Sequence, residues 1–440
     1  MEWDTFMLSR LLTSMTLGFH IIFATIGVGV PLLICLAEWW GIRKNDPHYI
    51  LLARRWARGF VITVAIGVVT GTCIGLQLSL LWPSFMQIAG QVIGLPLFLE
   101  TFAFFFEAIF LGIYLYTWDR FKNPWIHWSF SIPVVIGSAG SAFFITTVNA
   151  FMNTPTGFTL ENGMITAIEP WKAMFNPATP TKVLHVLASA YLTSAFILGS
   201  IAGFQLLKGR RHVYYRKALT FTMFFCLLFG ILTAVIGDFS GKFLAEYQPE
   251  KLAAAEWHFH TERNADLILG GYLTEENEVR GAIRIPYALS LLAYGNPTAE
   301  VKGLHDFQRE LWPPLFIHYL FDLMVGIGIY LIIVPIVYFY FLMKKNRMPN
   351  GIYRFIIAGG PLAMLAIEAG WIFTEAGRQP WILRGYMKTA HGVTTASNVG
   401  EMLFLFSLLY GVLAVTCIGV LLRLYRNNTA EAEIIRRGIG

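Results

Sequence analysis

The chain has 440 residues, of which 56% are hydrophobic and 14% are charged. A soluble domain carries about 25% charged residues, so this composition excludes an ordinary soluble protein. The formal net charge of +6 does not indicate a nucleic-acid partner, because the basic residues follow the membrane pattern described below.

Nine long apolar blocks run along the chain. A bilayer core of about 30 Å needs about 20 apolar helical residues to cross it, and blocks this long and uniform do not suit barrel strands. We therefore predict an all-α, polytopic membrane bundle of about nine transmembrane helices. The predicted spans are residues 11–37, 58–82, 91–117, 126–149, 181–207, 217–236, 314–343, 353–376 and 399–425.

Lys and Arg are distributed unevenly between alternate connections. One side holds 20 of them, including Lys344, Lys345 and Arg347, whereas the short segments of the other side hold six. Because cytoplasmic connections are enriched in basic residues, the N-terminus is predicted to be outside and the C-terminus in the cytoplasm. This arrangement requires an odd number of spans, and nine fits. No basic region precedes the first block, so we expect a permanent span and not a cleaved signal peptide.

The predicted spans divide the chain into three parts. Residues 1–237 hold the first six spans, 238–311 form an extracytoplasmic loop, and 312–440 hold the last three spans and a cytoplasmic tail. Between residues 242 and 310 the loop contains eleven Asp/Glu and seven Lys/Arg. A connection of this length is uncommon unless it has a function, and we expect a helix to begin after Pro249.

Several ionisable or metal-ligating residues lie in apolar blocks, where such groups are costly and are functional candidates by default. The predicted topology places His20 in the outer half of the first span and His185 at the outer end of the fifth. Met324 lies on the seventh span, which also begins outside, and Glu375 ends the eighth as it returns to the outer face. Each residue alone could be a packing residue, but four candidate ligands from four helices at one depth predict a metal site.

Two carboxylate patterns accompany these residues. Glu100 and Glu107 are seven residues apart and lie on one face of the third span. A second set is spaced three, four and three residues apart on the eighth span. It consists of Glu368, Trp371, Glu375 and Arg378. A row of protonatable groups beside a metal site suits a proton relay, and the alternative is structural pairing of Glu with Arg or His between helices.

Three runs of residues resemble one known family. Gly377-Arg378-Gln379-Pro380-Trp381 closely resembles the signature of subunit I of cytochrome bd quinol oxidases. The run from Gly241 to Lys251 resembles the quinol-binding loop of that family, and residues 149–157 after the fourth span fit it as well. The layout of nine spans with a long outer loop extends the resemblance over essentially the whole chain.

The resemblance implies three haems and no copper: a low-spin haem b, a high-spin haem b and a haem d. His185 and Met324 match the axial ligands of the low-spin haem. His20 matches the ligand of one high-spin haem and Glu375 that of the other. Which of these two sites holds haem d stays open.

The same resemblance implies roles for residues outside the ligand set. Gln248, Lys251 and Glu256 match residues associated with quinol binding or oxidation. The pair on the third span matches the acidic pair of the proton route from the cytoplasm, and Trp371 matches an aromatic residue among the haems. One departure is Asp322, because many members carry arginine two residues before the ligand methionine. The loop is also short for the family.

The implied function is the catalytic subunit of a terminal oxidase in a bacterial or archaeal cytoplasmic membrane. It would oxidise membrane quinol and reduce dioxygen to water, with protons taken from the cytoplasm and released outside, so that charge is separated without a pump. The implied protein partners are subunit II and, as a further candidate, a small single-span subunit. Two alternatives stay open: a secondary transporter or proton channel, which would show broken helices at matching places in two halves, and a non-catalytic cytochrome b anchor.

Overall fold

A computed structural model describes residues 4–161, 164–344 and 348–439 of the chain. Lys345 and Arg347, two of the basic residues counted for the predicted orientation, lie outside the described residues. Within these ranges, nine helical segments are long and apolar enough to cross a membrane. The prediction of an all-α, polytopic bundle is confirmed.

The membrane-spanning segments are longer than the apolar blocks because each helix continues into the polar residues at its ends. They are α1 (Thr5–Lys44), α2 (Pro47–Leu81), α3 (Pro83–Tyr116), α4 with α5 (Pro124–Ser129 and Ser131–Asn153), α7 (Thr179–Leu207), α8 (Val213–Tyr247), α11 (Ile317–Met343), α12 (Asn350–Ala376) and α14 (Val399–Asn427). The short helices are α6 (Pro170–Met174), α9 (Pro249–Ala255), α10 (Ala288–Tyr294), α13 (Thr389–Gly392) and α15 (Ala430–Arg436).

The strands are short and form two-stranded antiparallel ribbons in the connections. They pair Thr159–Glu161 with Met164–Thr166, Glu262–Arg263 with Glu300–Val301, Leu267–Leu269 with Ile283–Ile285, Tyr272–Leu273 with Val279–Arg280, and Trp381–Leu383 with Met387–Lys388. Two single 3₁₀ turns cover Leu304–Asp306 and Arg309–Leu311.

Small residues allow the helices to approach closely, as expected where lipid offers no hydrophobic drive for helix pairing. A Cβ added to Gly29 of α1 would lie 2.5 Å from the Ala190 carbonyl of α7. A Cβ added to Gly137 of α5 would lie 2.9 Å from the Ala103 carbonyl of α3. Substitution of either glycine would therefore push two spans apart.

The loop between α8 and α11 packs against the helix ends at one face of the bundle. It begins with α9, which confirms the helix expected after Pro249. The indole of Trp257 donates a 2.8 Å hydrogen bond to the Leu315 carbonyl, just before α11. The ring of His318, the second residue of α11, stacks on that indole with centroids 3.9 Å apart. The loop is thereby fixed to the helices that carry the candidate ligands.

Candidate functional site

His20 lies on α1 with one ring nitrogen engaged by the protein. Its Nδ1 is 2.9 Å from the Thr70 hydroxyl, which itself donates to the Ile66 carbonyl at 2.9 Å. The hydroxyl oxygen therefore accepts from Nδ1–H, and Nε2 is left with its lone pair. Metal-ligating histidines typically donate a hydrogen bond from one ring nitrogen and bind the metal through the other. Gly71 brings the α2 backbone close to the ring, since an added Cβ would lie 3.2 Å from Cε1.

His185 and Met324 also lie against glycines of neighbouring helices. His185 Nδ1 is buried and has no hydrogen-bond partner among the described residues, which is a costly state for a polar atom. A Cβ added to Gly237 of α8 would lie 3.7 Å from His185 Cε1, and one added to Gly370 of α12 would lie 3.1 Å from Met324 Sδ. A side chain at Gly370 would therefore crowd Met324, whereas a Cβ at Gly237 would only touch the His185 ring.

Glu375 lies at the end of α12 in a chain of hydrogen bonds. Its Oε1 accepts from the Asn149 amide, and its Oε2 accepts from Arg378 Nη2. The side-chain oxygen of Asn149, Oδ1, in turn accepts a hydrogen bond from Lys182 Nζ at 2.7 Å. Arg378 is buried, but its Nε and Nη1 have no partner among the described residues. The Glu375–Arg378 pair thus joins two neighbouring members of the stripe at one helix end, whereas the structural alternative considered from the sequence was pairing between helices.

The two other members of the predicted stripe lie deeper in the bundle. Glu368 faces α1, because a Cβ added to Gly18 would lie 3.5 Å from Glu368 Oε2. Its Oε1 is buried and has no hydrogen-bond partner in the described part of the chain. Trp371 is half-buried one turn away. Glu368 is therefore available to a ligand, to water or to a proton.

Two of the three predicted quinol residues are buried where α8 ends and α9 begins, and one of them, Lys251, contacts the end of α12. Gln248, which follows α8, is buried, and its amide nitrogen has no partner among the described residues. Lys251 of α9 is also buried, and its Nζ donates to the Thr374 carbonyl at 3.2 Å and lies 4.8 Å from the centre of the Phe373 ring. Burial lowers the pKa of Lys251 to about 7. This places a titrating amine beside the residue that precedes Glu375.

Glu256 ends α9 and is fully buried. Its Oε2 accepts from the Ile268 amide at 3.3 Å, whereas Oε1 has no partner among the described residues. Burial raises the pKa of Glu256 well above its usual value. Burial therefore favours the protonated form of this carboxyl group, which can donate a hydrogen bond.

Asp322, the departure noted in the sequence, ties the loop to α11. Its Oδ2 accepts from the Gly270 amide at 2.6 Å and lies 3.3 Å from His318 Nε2. His318 Nδ1 reaches the Ala255 carbonyl at 2.7 Å. An arginine at this position could not accept the amide hydrogen, so Asp322 has a structural task in this chain.

The predicted acidic pair occupies the contact between α3 and α5. Glu107 is buried, and Glu100 accepts a 3.0 Å hydrogen bond from the Ser141 hydroxyl. No recorded hydrogen bond or ion pair between described residues joins this pair to the stripe on α12. The structure therefore places the two carboxylate sets as separate groups.

The donors fit haem iron better than a bare metal ion. Among the described residues, no three His, Cys, Asp or Glu side chains form a group that could hold a metal ion. A haem iron receives its equatorial ligands from the macrocycle and needs one or two axial side chains, which His20, His185, Met324 and Glu375 can supply. The unpartnered nitrogens of buried Arg378 suit the acidic side chains of such a macrocycle.

Sequence reasoning did not identify Asn149 and Lys182 as site residues. The sequence does place the Asn149 amide at the outer end of the fourth predicted span and the Lys182 amine at the outer end of the fifth. Both positions are close to Glu375 in predicted depth. Hydrogen bonding between them depends on helix adjacency, which hydropathy does not supply.

Comparison with known proteins agrees with this geometry. Residues 8–429 match the family model described as cytochrome bd terminal oxidase subunit I. The chain is 64% identical to a chain in the structure of the bd oxidase from Geobacillus thermodenitrificans, with a TM-score of 0.93 and coverage of 97% of this chain and 99% of that one.

Named relatives extend over the same length. A protein of Bacillus subtilis (strain 168), provisionally named cytochrome bd menaquinol oxidase subunit I, is 42% identical over 98% of this chain and 99% of its own. Cytochrome bd-II ubiquinol oxidase subunit 1 of Escherichia coli (strain K12) is 25% identical over 93% of each chain. These matches confirm the expected multi-pass protein of the bacterial cytoplasmic membrane and favour neither the transporter nor the electron-transfer anchor. The chain belongs to the family of subunit I of cytochrome bd terminal oxidases.

Proposed function

We propose that this chain is the haem-bearing catalytic subunit of a quinol oxidase that reduces dioxygen to water. His185 and Met324 would hold a low-spin haem b, His20 one high-spin haem and Glu375 the other, with one haem b and one haem d at the high-spin sites and no copper. When bound, the haems accept electrons from quinol and supply the iron at which dioxygen is reduced. The other steps depend on residues of the chain itself.

The observation that carries the proposal is the contact of Lys251 with the end of α12. A loop amine with a pKa of about 7 lies on the Thr374 carbonyl, next to candidate ligand Glu375. Oxidation of a quinol releases two protons along with two electrons, so a base is needed close to the electron acceptor. Lys251 can accept one of those protons near neutral pH.

Glu256 and Gln248 would bind the quinol head group. The protonated Glu256 carboxyl can donate a hydrogen bond to a quinol oxygen, and its Oε1 is free of protein partners among the described residues. The unpartnered amide nitrogen of Gln248 is a second donor. Relatives are named menaquinol and ubiquinol oxidases, and both head groups carry oxygens that these donors can bind.

Proton consumption would use the carboxylates on α3 and α12. Glu107 lies nearer the predicted cytoplasmic end of α3 than Glu100, so protons would pass from Glu107 to Glu100. Seven residues correspond to about 10 Å along a helix, so water must bridge the two carboxylates. Glu368, Trp371 and Arg378 would complete the polar surroundings of the haems.

Charge separation follows from the predicted orientation. Quinol protons would leave at the outer loop, and the protons consumed by dioxygen would enter from the cytoplasm. The excess of Lys and Arg on one side supports this orientation. The proposed assembly includes subunit II, with a small single-span subunit as a further candidate partner.

Quinol-driven oxygen consumption by Lys251→Gln and Glu256→Gln variants tests the proposal. We expect turnover to fall on the order of 10- to 100-fold in each variant, while the haem spectrum of the purified complex stays intact. Lys302→Gln is the matched control, because Lys302 lies in the same loop but is exposed and outside the run that resembles the quinol-binding loop. Normal quinol turnover in the Lys251/Glu256 double variant would place the quinol site elsewhere.

A further inference from the structure

Three buried polar side chains meet at the end of the bundle opposite the loop. Glu38 of α1 accepts a hydrogen bond from the Tyr114 hydroxyl of α3 at 2.6 Å through Oε2. Its Oε1 lies 2.6 Å from Nδ1 of His127, which belongs to α4. All three residues are at most 5% exposed. The function described above uses none of them.

The hydrogen-bond partners of His127 show that the cluster contains a shared proton. Its Nε2 lies 2.9 Å from the Tyr114 backbone carbonyl, which can only accept, so Nε2 carries a hydrogen. Its Nδ1 faces a carboxylate oxygen of Glu38. One proton therefore lies between the imidazole and the carboxyl group and can be carried by either.

Four helices line a cavity between this cluster and Glu107. The cavity, of about 10 Å³, adjoins the cluster, which is about the room that a single water needs. Its lining follows one face of each helix: Pro31 and Ile34 on α1, Phe60 on α2, Leu111 and Tyr114 on α3, and Ser131 and Val134 on α5.

The spacing of these residues sets the order along the path. On α3, Tyr114, Leu111 and Glu107 are three and four residues apart and share one face. On α5, the residue one turn beyond Val134 is Gly137, where an added Cβ would lie 2.8 Å from Glu107 Cβ. The cavity thus lies between the cluster at its cytoplasmic side and Glu107 at the other.

We propose that the Glu38–His127–Tyr114 cluster is the cytoplasmic intake that supplies protons to Glu107. The inference deepens the proposed function and depends on its proton route. A proton from cytoplasmic water would add to the Glu38–His127 pair, and one proton would pass through the Tyr114 hydroxyl or the cavity water to an ionised Glu107. Each cycle delivers one proton to Glu107. The Glu38–His127 pair then regains its own proton from cytoplasmic water.

Other charged groups near the cluster are paired and lie closer to the surface. Arg54 forms a two-bond contact with exposed Asp119 and lies over the Trp118 ring, which stacks on His127 with centroids 4.1 Å apart. Cys35 on α1 is a further titratable neighbour. No recorded hydrogen bond between described residues joins these groups to the cluster, so its proton is shared within the cluster itself.

A structural role for the cluster makes a different prediction about substitutions at position 38. Glu38→Gln preserves the shape and hydrogen bonding of the side chain but cannot carry the proton, whereas Glu38→Asp preserves the carboxyl group but shortens the side chain. If the cluster only fastens the helices, Gln is the milder change. If it conducts protons, Asp is the milder change.

The experiment uses the whole oxidase reconstituted in vesicles, with proton uptake from the cytoplasmic side followed by a pH indicator. We expect Glu38→Gln to slow uptake and oxygen consumption on the order of 10- to 100-fold, with Glu38→Asp between Gln and wild type. Reduction of the low-spin haem by quinol should stay normal. Glu433→Gln is the matched control, since Glu433 is another buried carboxylate of the cytoplasmic side, paired with Arg55 and Arg58, and should leave the uptake rate unchanged.

Glu107→Gln, measured in parallel, separates failure of the inference from failure of the proposed function. Slow uptake in both Gln variants supports the intake. Slow uptake in Glu107→Gln with wild-type uptake in Glu38→Gln, or milder effects of Gln than of Asp at position 38, overturns it and leaves the proposed function standing. Normal uptake in Glu107→Gln overturns both the route and its intake. If Glu38→Gln does not assemble, the deciding variant is His127→Gln, which removes the imidazole that shares the proton with Glu38, and normal proton uptake in that variant overturns the intake.

Discussion

The two ends of the bundle differ in how their buried polar groups are satisfied. At the loop end, several buried atoms have no hydrogen-bond partner among the described residues. They include His185 Nδ1, Gln248 Nε2, Glu256 Oε1, Asp322 Oδ1 and two nitrogens of Arg378. At the opposite end, both oxygens of Glu38 and both of Glu433 contact donors of the chain. Fewer buried atoms lack a partner there among the described residues, namely His48 Nε2, Trp118 Nε1 and Glu431 Oε2.

The difference indicates which end depends on ligands. Leaving a buried polar atom unpaired costs about 1–3 kcal/mol, and a helical bundle does not accumulate such atoms at one end without a compensating partner. Haems and quinol can provide those partners at the loop end. At the opposite end the buried carboxylates are satisfied by the chain itself, so substitutions of these carboxylates should affect protons and stability and not cofactor content.

The largest expected effect is loss of a haem from the loop end. We expect His185→Ala or Met324→Leu to remove the low-spin b-type signal from the reduced-minus-oxidised spectrum, because each removes an axial ligand. His212→Ala is the control at the other end of the bundle, next to α8, and should keep the full spectrum. If both ligand variants retain an unchanged low-spin spectrum, the ligand assignment is wrong.

The next effect concerns proton delivery between the two ends. Glu107→Gln keeps the size and hydrogen bonding of the side chain but removes its transferable proton. We expect oxygen reduction under turnover to slow on the order of 100-fold, with reduction of the low-spin haem by quinol preserved and cytoplasmic proton uptake reduced. Exposed Glu401 on α14 provides a control as Glu401→Gln. Wild-type oxygen consumption in the Glu107 variant would make that residue structural and direct attention to Glu368.

A smaller effect is the pH dependence of quinol oxidation at the loop end. With a pKa of about 7, Lys251 loses its proton as the pH rises through neutrality, and only the neutral amine can accept a proton from quinol. The rate of low-spin haem reduction by quinol should therefore rise between pH 6 and pH 8, about one unit on either side of that value. Lys251→Arg stays charged throughout, so its profile should be flat and low. An unchanged rise in that variant would assign the titration to another group.

The parts of this molecule that could be predicted from sequence are those fixed by the bilayer itself. Spanning helices need long apolar blocks, and ionisable residues within them are rare enough to identify His20, His185 and the carboxylates directly. Helix ends were less predictable, because α8 continues through polar residues to Tyr247, well past the apolar block ending at 236. Hydropathy marks where a helix leaves the apolar core, and it does not mark where the helix itself ends.

Contacts between distant segments could not be predicted from the sequence. Asp322 contacts Gly270, 52 residues away, and the Glu38–His127 pair spans 89 residues. Glu38 also lies one residue beyond the first predicted span, outside the apolar blocks in which a charged residue is a functional candidate. Such pairs depend on which helices are neighbours, and this information lies in packing and not in local composition.

The smallest effect tests the end opposite the loop through the buried carboxylate Glu433. Burial raises the pKa of Glu433, but hydrogen bonds and charge from Arg58 and Arg55 outweigh burial, so that this pKa lies below its usual value. The unfolded carboxyl group therefore binds a proton before the folded one does. The pair stabilises the fold above the unfolded pKa of about 4.3, and this contribution is lost as the pH falls through the lower folded pKa.

We expect Glu433→Gln to destabilise the complex by about 2 kcal/mol at neutral pH, because Arg55 would be left buried without its anion. Heat-induced aggregation of the purified complex gives the measurement, and the difference from wild type should shrink as the pH approaches 4. Asp119→Asn is the control, since Asp119 is exposed in its pair with Arg54 and surface pairs contribute at most about 1 kcal/mol. Equal losses in the two variants would mean that burial of the Glu433 pair adds nothing, and that the C-terminal helix α15 is held by its apolar contacts alone.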